Sequence, residues 1–123
     1  MKRIWLAVLL TGCAFMPEDA VPFEPPALYH DLWDSAQACT GRRGDFSQLR
    51  FFVVEGISFD TPQGPATGWT EGTTITLASE WVDHPLVVKH ELIHALGIDG
   101  HPYVPFVDPC HATWDSWEEL LPS

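Results

Sequence analysis

Residues 83–97, D-H-P-L-V-V-K-H-E-L-I-H-A-L-G, constrain the fold more than any other part of the chain. Asp83 is a candidate N-cap, and Pro85 stands in the first turn, where its missing N–H has no intrahelical partner to lose. Leu86, Val87, Leu92, Ile93 and Leu96 supply the apolar side of a buried helix. Gly97 then stops it, since a C′ residue favours the left-handed conformation that glycine adopts freely. The helix carries His90-Glu91-Leu92-Ile93-His94. Residues four apart lie one turn apart on the same face, so His90 and His94 can offer two imidazole nitrogens to one ion, at the roughly 2.1 Å that zinc prefers. Glu91 sits beside them, close enough to reach a water on the metal but directed away from ligation. Two neutral bases for a metal and one carboxylate for a water is the donor set of a zinc hydrolase. The ion lowers the pKa of the water, and Glu91 takes its proton as the water attacks a carbonyl. The competing reading is of two helical histidines that bind nothing. It is disfavoured by a helix whose start, stop and apolar side are all in order.

His90-Glu91-x-x-His94-x-x-Gly97 resembles the start of the metzincin signature, the zinc-peptidase clan that includes the matrixins. The order of elements is also similar: helix, strand, a cleft-edge strand at 73–78, active-site helix. The resemblance implies an α+β, zincin-like domain, with a mixed β-sheet packed on an N-terminal helix and on the active-site helix. It also implies one Zn2+ ion, peptide-bond hydrolysis, and an extended peptide substrate paired to strand 73–78. The chain departs from the signature twice. The next histidine follows Gly97 by four residues, Gly100 holding the earlier place, and no methionine follows Met16 to form a Met-turn.

His101 is the expected third ligand. Gly97 can reverse the chain beneath the helix, Ile98-Asp99-Gly100-His101 reads as a tight turn, and Pro102 restricts His101 to the extended region. The rivals are Asp99, in a two-His, one-Asp site; Glu118 or Glu119 on a later helix, as in gluzincins; and His111. His30 and His84 fall outside ligand spacing and read as polar surface. Tyr103 could donate to a developing oxyanion, but packing is the preferred reading. Trp33, Trp81, Trp114 and Trp117 are assigned to the core or the cleft wall.

The N-terminus resembles that of a bacterial lipoprotein. Met1-Lys2-Arg3 precedes a short apolar run at 4–10, and Leu10-Thr11-Gly12-Cys13 is similar to a lipobox. Residues 1–12 would be the signal peptide, Cys13 the lipidated residue, 13–27 a Pro-rich tether and 28–123 the zincin-like domain. The alternative is an ordinary secretory signal with a chance cysteine. The apolar run is far too short to span a bilayer as a permanent helix. Ala14, by the sorting habit of lipoproteins, points to the outer membrane. With Cys13 used, Cys39 and Cys110 most simply form one disulfide, which closes a loop of about seventy residues and adds on the order of 4 kcal/mol.

Cleavage also removes Lys2 and Arg3, leaving Arg42, Arg43, Arg50 and Lys89 against 17 acidic residues. Such a charge argues against nucleic acid and anionic lipid as partners. The membrane is therefore expected as a partner only through the lipid anchor, and the protein as a monomer.

Along the chain, Leu28, Leu32, Ala36 and Cys39 recur at helical spacing, and Thr40-Gly41 ends that helix. Residues 48–55 are aromatic and β-branched, the pattern of a buried strand. Residues 60–72 read as loop, broken by Pro62, Gly64, Pro65, Gly68 and Gly72. Residues 73–78 alternate Ile75 and Leu77 with threonines, so a strand with one wet face is expected. A short helix is expected at 114–121.

The functional expectation is zinc-dependent peptide-bond hydrolysis at the cell envelope, with Glu91 as general base. The alternative is a non-catalytic lipoprotein that binds or scavenges zinc. A module that has lost its metal is a third reading, disfavoured by the intact H-E-x-x-H.

Overall fold

The computed structural model describes residues 15–101. Cys13, Tyr103, Cys110, His111, Trp114, Trp117, Glu118 and Glu119 lie outside them, as do the expected signal peptide and the expected helix at 114–121. Strand β1 (Val21–Pro22) leads into helix α1 (Ala27–Thr40). There follow β2 (Arg50–Val54), β3 (Phe59–Thr61), β4 (Gly64–Ala66), β5 (Gly68–Glu71), β6 (Thr74–Ala78) and helix α2 (Pro85–Ala95). Four strands form one sheet in the order β1-β2-β6-β5, and β3 and β4 make a separate hairpin. β2 and β6 run parallel, with Phe51 opposite Ile75 and Val53 opposite Leu77; β1 and β5 are antiparallel to their neighbours. The sheet is mixed, and the fold is α+β.

Both helices pack on one face of the sheet. Tyr29, Trp33 and Ala36 of α1 meet Val88, Leu92, Ile93 and the neighbouring Leu96 from α2, over Phe51, Ile75 and Leu77 from the sheet. Phe23, Tyr29 and Phe51 close the end of this core with edge-on ring contacts at 5.2 to 6.0 Å, the geometry that the ring quadrupoles favour. The expected periodicity of α1 holds, but its stripe is centred one residue away. Leu28, Leu32 and Cys39 flank the core, and the two aromatic residues occupy its middle because they remove more apolar surface from water. Tyr29 also donates from its hydroxyl to the carbonyl of Val82 at 2.6 Å, which fixes α1 to the approach of α2.

The opposite face of the sheet is covered as well, which corrects the expected wet face. Thr76 is 2% exposed. The residues after Ala14 cross above it as a strap: the ring of Phe15 meets Trp69 edge-on at 5.8 Å, its N–H donates to Glu71 Oε1 at 3.1 Å, and the Thr76 hydroxyl lies 3.9 Å from Met16 Sδ. Ala20 packs on the second cluster of Val54, Phe59 and Ala78, and Val21 then pairs with Val53. The stretch read as a tether is, from Phe15 onward, part of the folded domain. Its prolines suit an edge position, where no ladder hydrogen bond is lost.

The reading of 60–72 as loop is also corrected, since three short strands occupy it. Gly64 takes φ 103° directly after a turn, and Gly68 lies within β5. These residues shape turns and a close approach, and do not interrupt the sheet. Finally, β6 lies between β2 and β5, so residues 73–78 are not the cleft edge. Among the described residues the edge strands of this sheet are β1 and β5.

Candidate metal centre

Helix α2 starts as the proline indicates, with Pro85 in its first turn, but its N-cap is His84 and not Asp83: Nδ1 of His84 accepts from the Val87 N–H at 3.5 Å. His84 is half-buried against Trp81, ring centroids 5.0 Å apart, so it is a capping residue rather than plain surface. Burial pulls its pKa below the usual histidine value. His30 does lie on the surface, stacked on Phe46 at 4.0 Å.

Past Ala95 the helix closes with the Leu96 N–H on Leu92 and Ile93 and the Gly97 N–H on His94 at 2.9 Å. Gly97 takes φ 91° and Gly100 φ 66°, left-handed values that cost a side-chain-bearing residue energy and glycine little. Those two reversals bring His101 back towards the helix. Arg42, following α1, supports the same turn: Nη1 donates to the carbonyls of Leu96 and Gly97, both at 3.3 Å. A cation there also opposes the partial negative charge of the helix C-terminus. Sequence reasoning missed Arg42, because no local pattern joins residues that are more than fifty positions apart.

Three imidazoles therefore converge. Nε2 of His101 is 3.1 Å from Nε2 of His90 and 3.3 Å from Nε2 of His94, and ring centroids are 4.9 to 5.0 Å apart. His94 Nδ1 lies 2.8 Å from the carbonyl of Ile98. A carbonyl can only accept, so the proton sits on Nδ1 and the Nε2 lone pair is turned to the cluster. Ligands at 2.0 to 2.1 Å from a tetrahedral ion stand roughly 3.3 to 3.4 Å from one another, close to the separations found. Burial, foremost, lowers the pKa of His94, and the charge of His101 adds to this. Lowering keeps the imidazole neutral, the form a metal needs. The donor set thus fits a metal ion, which these three residues could hold. Asp99 is exposed and is not among them.

Glu91 points elsewhere. It is only 6% exposed, directed at β5, where Thr70 donates from its hydroxyl to Glu91 Oε1 at 2.6 Å. The carboxylate lies over Gly68, at which a Cβ would stand 2.9 Å from Cγ, Cδ and Oε2 of Glu91. Burial raises the pKa of Glu91 to about 7, and the Thr70 hydrogen bond offsets part of this. In the sequence Gly68 reads only as a loop breaker, and Thr70 carries no expectation. Their only signal was a glycine and a threonine two apart on a strand that the Gly and Pro content concealed.

Trp33 is in the core and Trp81 is half-buried in the second cluster. Cys39 packs against the main core from the last turn of α1. Among the described residues, no helix is long and apolar enough to cross a membrane. Comparison of the chain with protein-family models, with curated proteins and with solved structures finds no match.

Proposed function

We propose that this chain is a zinc-dependent peptide hydrolase of zincin type, exported and held at the cell envelope by a lipid on Cys13. The observation that carries the reading is Glu91: a buried carboxylate with a pKa near neutrality, on the helix turn that carries two of the three convergent histidines, and held against β5, an edge strand of the sheet among the described residues. A site that only holds metal has no use for such a group, whereas a general base works best with a pKa near the working pH.

His90, His94 and His101 would hold the ion by Nε2. A zinc ion bound there supplies Lewis acidity and a fourth position for water. Glu91 Oε1 is engaged by Thr70, so Oε2 is left to take the proton of the attacking water and return it to the leaving amine. Substrate pairing moves from the expected strand 73–78 to β5. The Ala78 N–H bonds to the Thr67 carbonyl, so alternation along an antiparallel ladder places Trp69 and Glu71 in the hydrogen-bonded pairs with β6. Gly68 and Thr70 then present their N–H and C=O groups to the outer edge, where an extended peptide can add as a further strand.

The acidic balance of the chain, 17 acidic residues against 6 basic, favours a second reading as a zinc-gathering lipoprotein without turnover. Zinc content of the purified chain, measured beside hydrolysis of a broad peptide library, separates the two. One equivalent of zinc with cleavage supports the hydrolase. One equivalent without cleavage of any member leaves the scavenger.

A further inference from the structure

We propose that Thr70 is the positioning residue of Glu91, acting with Gly68 as a cradle that sets which carboxylate oxygen is free and where it points. The inference deepens the hydrolase reading and rests on Glu91 being the base.

A glutamate has three rotatable bonds, and a buried one that wanders loses its aim. Two contacts restrict this one. The Thr70 hydroxyl binds Oε1 at 2.6 Å and also lies 3.2 Å from the Glu91 backbone carbonyl, so it spans the residue from main chain to side chain. Gly68 limits the other side: Cγ, Cδ and Oε2 lie where a Cβ would come within 2.9 Å, so a side chain there would push the carboxylate from its present place. Both contacts come from β5, and from the two residues of it whose backbone groups face the outer edge. The strand that would align a peptide also fixes the base that serves it. A donor to a charged partner is worth about 10- to 100-fold in a rate that depends on it.

Side-chain and backbone roles of Thr70 separate under mutation. Thr70→Val keeps the shape and the backbone groups but removes the hydroxyl, while Thr70→Ser keeps the hydroxyl. Gly68→Ala pushes the carboxylate from the opposite side. The tests are steady-state hydrolysis of one cleaved library peptide, zinc content, and the 13Cδ resonance of Glu91 in glutamate-labelled protein, assigned by its loss in Glu91→Gln. The expected result is a kcat about 10- to 100-fold lower in Thr70→Val with KM and zinc content nearly unchanged. The Glu91 resonance is expected to move in Thr70→Val and Gly68→Ala, and Thr70→Ser to restore both resonance and kcat. An unmoved resonance, or equal loss of kcat in Thr70→Val and Thr70→Ser, overturns the proposal. A resonance that moves in a protein whose wild type cleaves nothing sinks the hydrolase reading instead, and leaves Thr70 a structural partner only.

Discussion

The hydroxyl of Thr70 on the edge strand and Oε1 of Glu91 on the histidine-bearing helix are 2.6 Å apart, and this contact ties the sheet edge to the candidate base. A carboxyl group buried there prefers its proton. Burial raises the pKa from 4.5 to about 7 in the folded chain, so folding is favoured by protonation. The contribution of Glu91 to stability is fully present below about 4.5 and is lost as pH rises through about 7. Glu91→Gln is neutral throughout and lacks this dependence. In metal-free protein the melting temperature of the wild type, relative to Glu91→Gln, should therefore fall across that window. A difference independent of pH would show that Glu91 is not buried as described.

Replacing any one of His90, His94 or His101 with alanine should lower zinc affinity by at least about 100-fold, because each removes a ligand atom. Asp99→Asn should change it little. For the wild type, affinity should drop as pH falls below about 6.5, where protons compete for imidazole. Competition titration against a chelator measures all of these. Retained affinity in His101→Ala, with loss in Glu118→Ala, would reassign the third ligand.

Arg42→Ala should loosen the turn that returns His101 to the cluster. Two carbonyls at the end of α2 lose a charged donor, and about 1 kcal/mol of stability is expected to go with them. Zinc affinity should fall by less than about tenfold, since the ligands themselves remain. Urea denaturation and zinc titration test the two parts. A variant with unchanged stability and affinity would mean that the turn holds itself.

Phe15→Ala should cost about 1 to 2 kcal/mol, as the ring on Trp69 covers part of the second sheet face. The same substitution in a flexible tether would cost nothing, so thermal unfolding separates strap from tether. Tyr29→Phe provides a comparison within the main core: it removes only the bond to Val82, for an expected loss of about 1 kcal/mol.

What could be read from the sequence follows the range of the forces involved. Helix α2, its proline start and glycine stop, and the facing of His90 and His94 are local consequences of spacing, and they were legible. So was the return of His101, because Gly97 and Gly100 permit the left-handed values found there. The helix cap was misassigned because Asp83 and His84 can both accept a hydrogen bond, and packing of the His84 ring on Trp81 decides between them. Strand β5 was hidden because its glycine serves a neighbour across the fold, Glu91, which no local pattern reveals. The strap was read as a tether for a similar reason. Prolines among acidic residues look alike whether they lie in solvent or along a sheet edge, and Phe15 and Met16 carry the difference only through distant contacts.

The role of Glu91 as general base is tested most directly by kcat for peptide hydrolysis in the wild-type chain and in Glu91→Gln at matched zinc content. Glu91→Gln is expected to hold one equivalent of zinc on the three histidines and to lose activity by about 100- to 10,000-fold, the range for removal of a general base. Hydrolysis unchanged by Glu91→Gln, or no hydrolysis by the zinc-loaded wild type, would contradict that role.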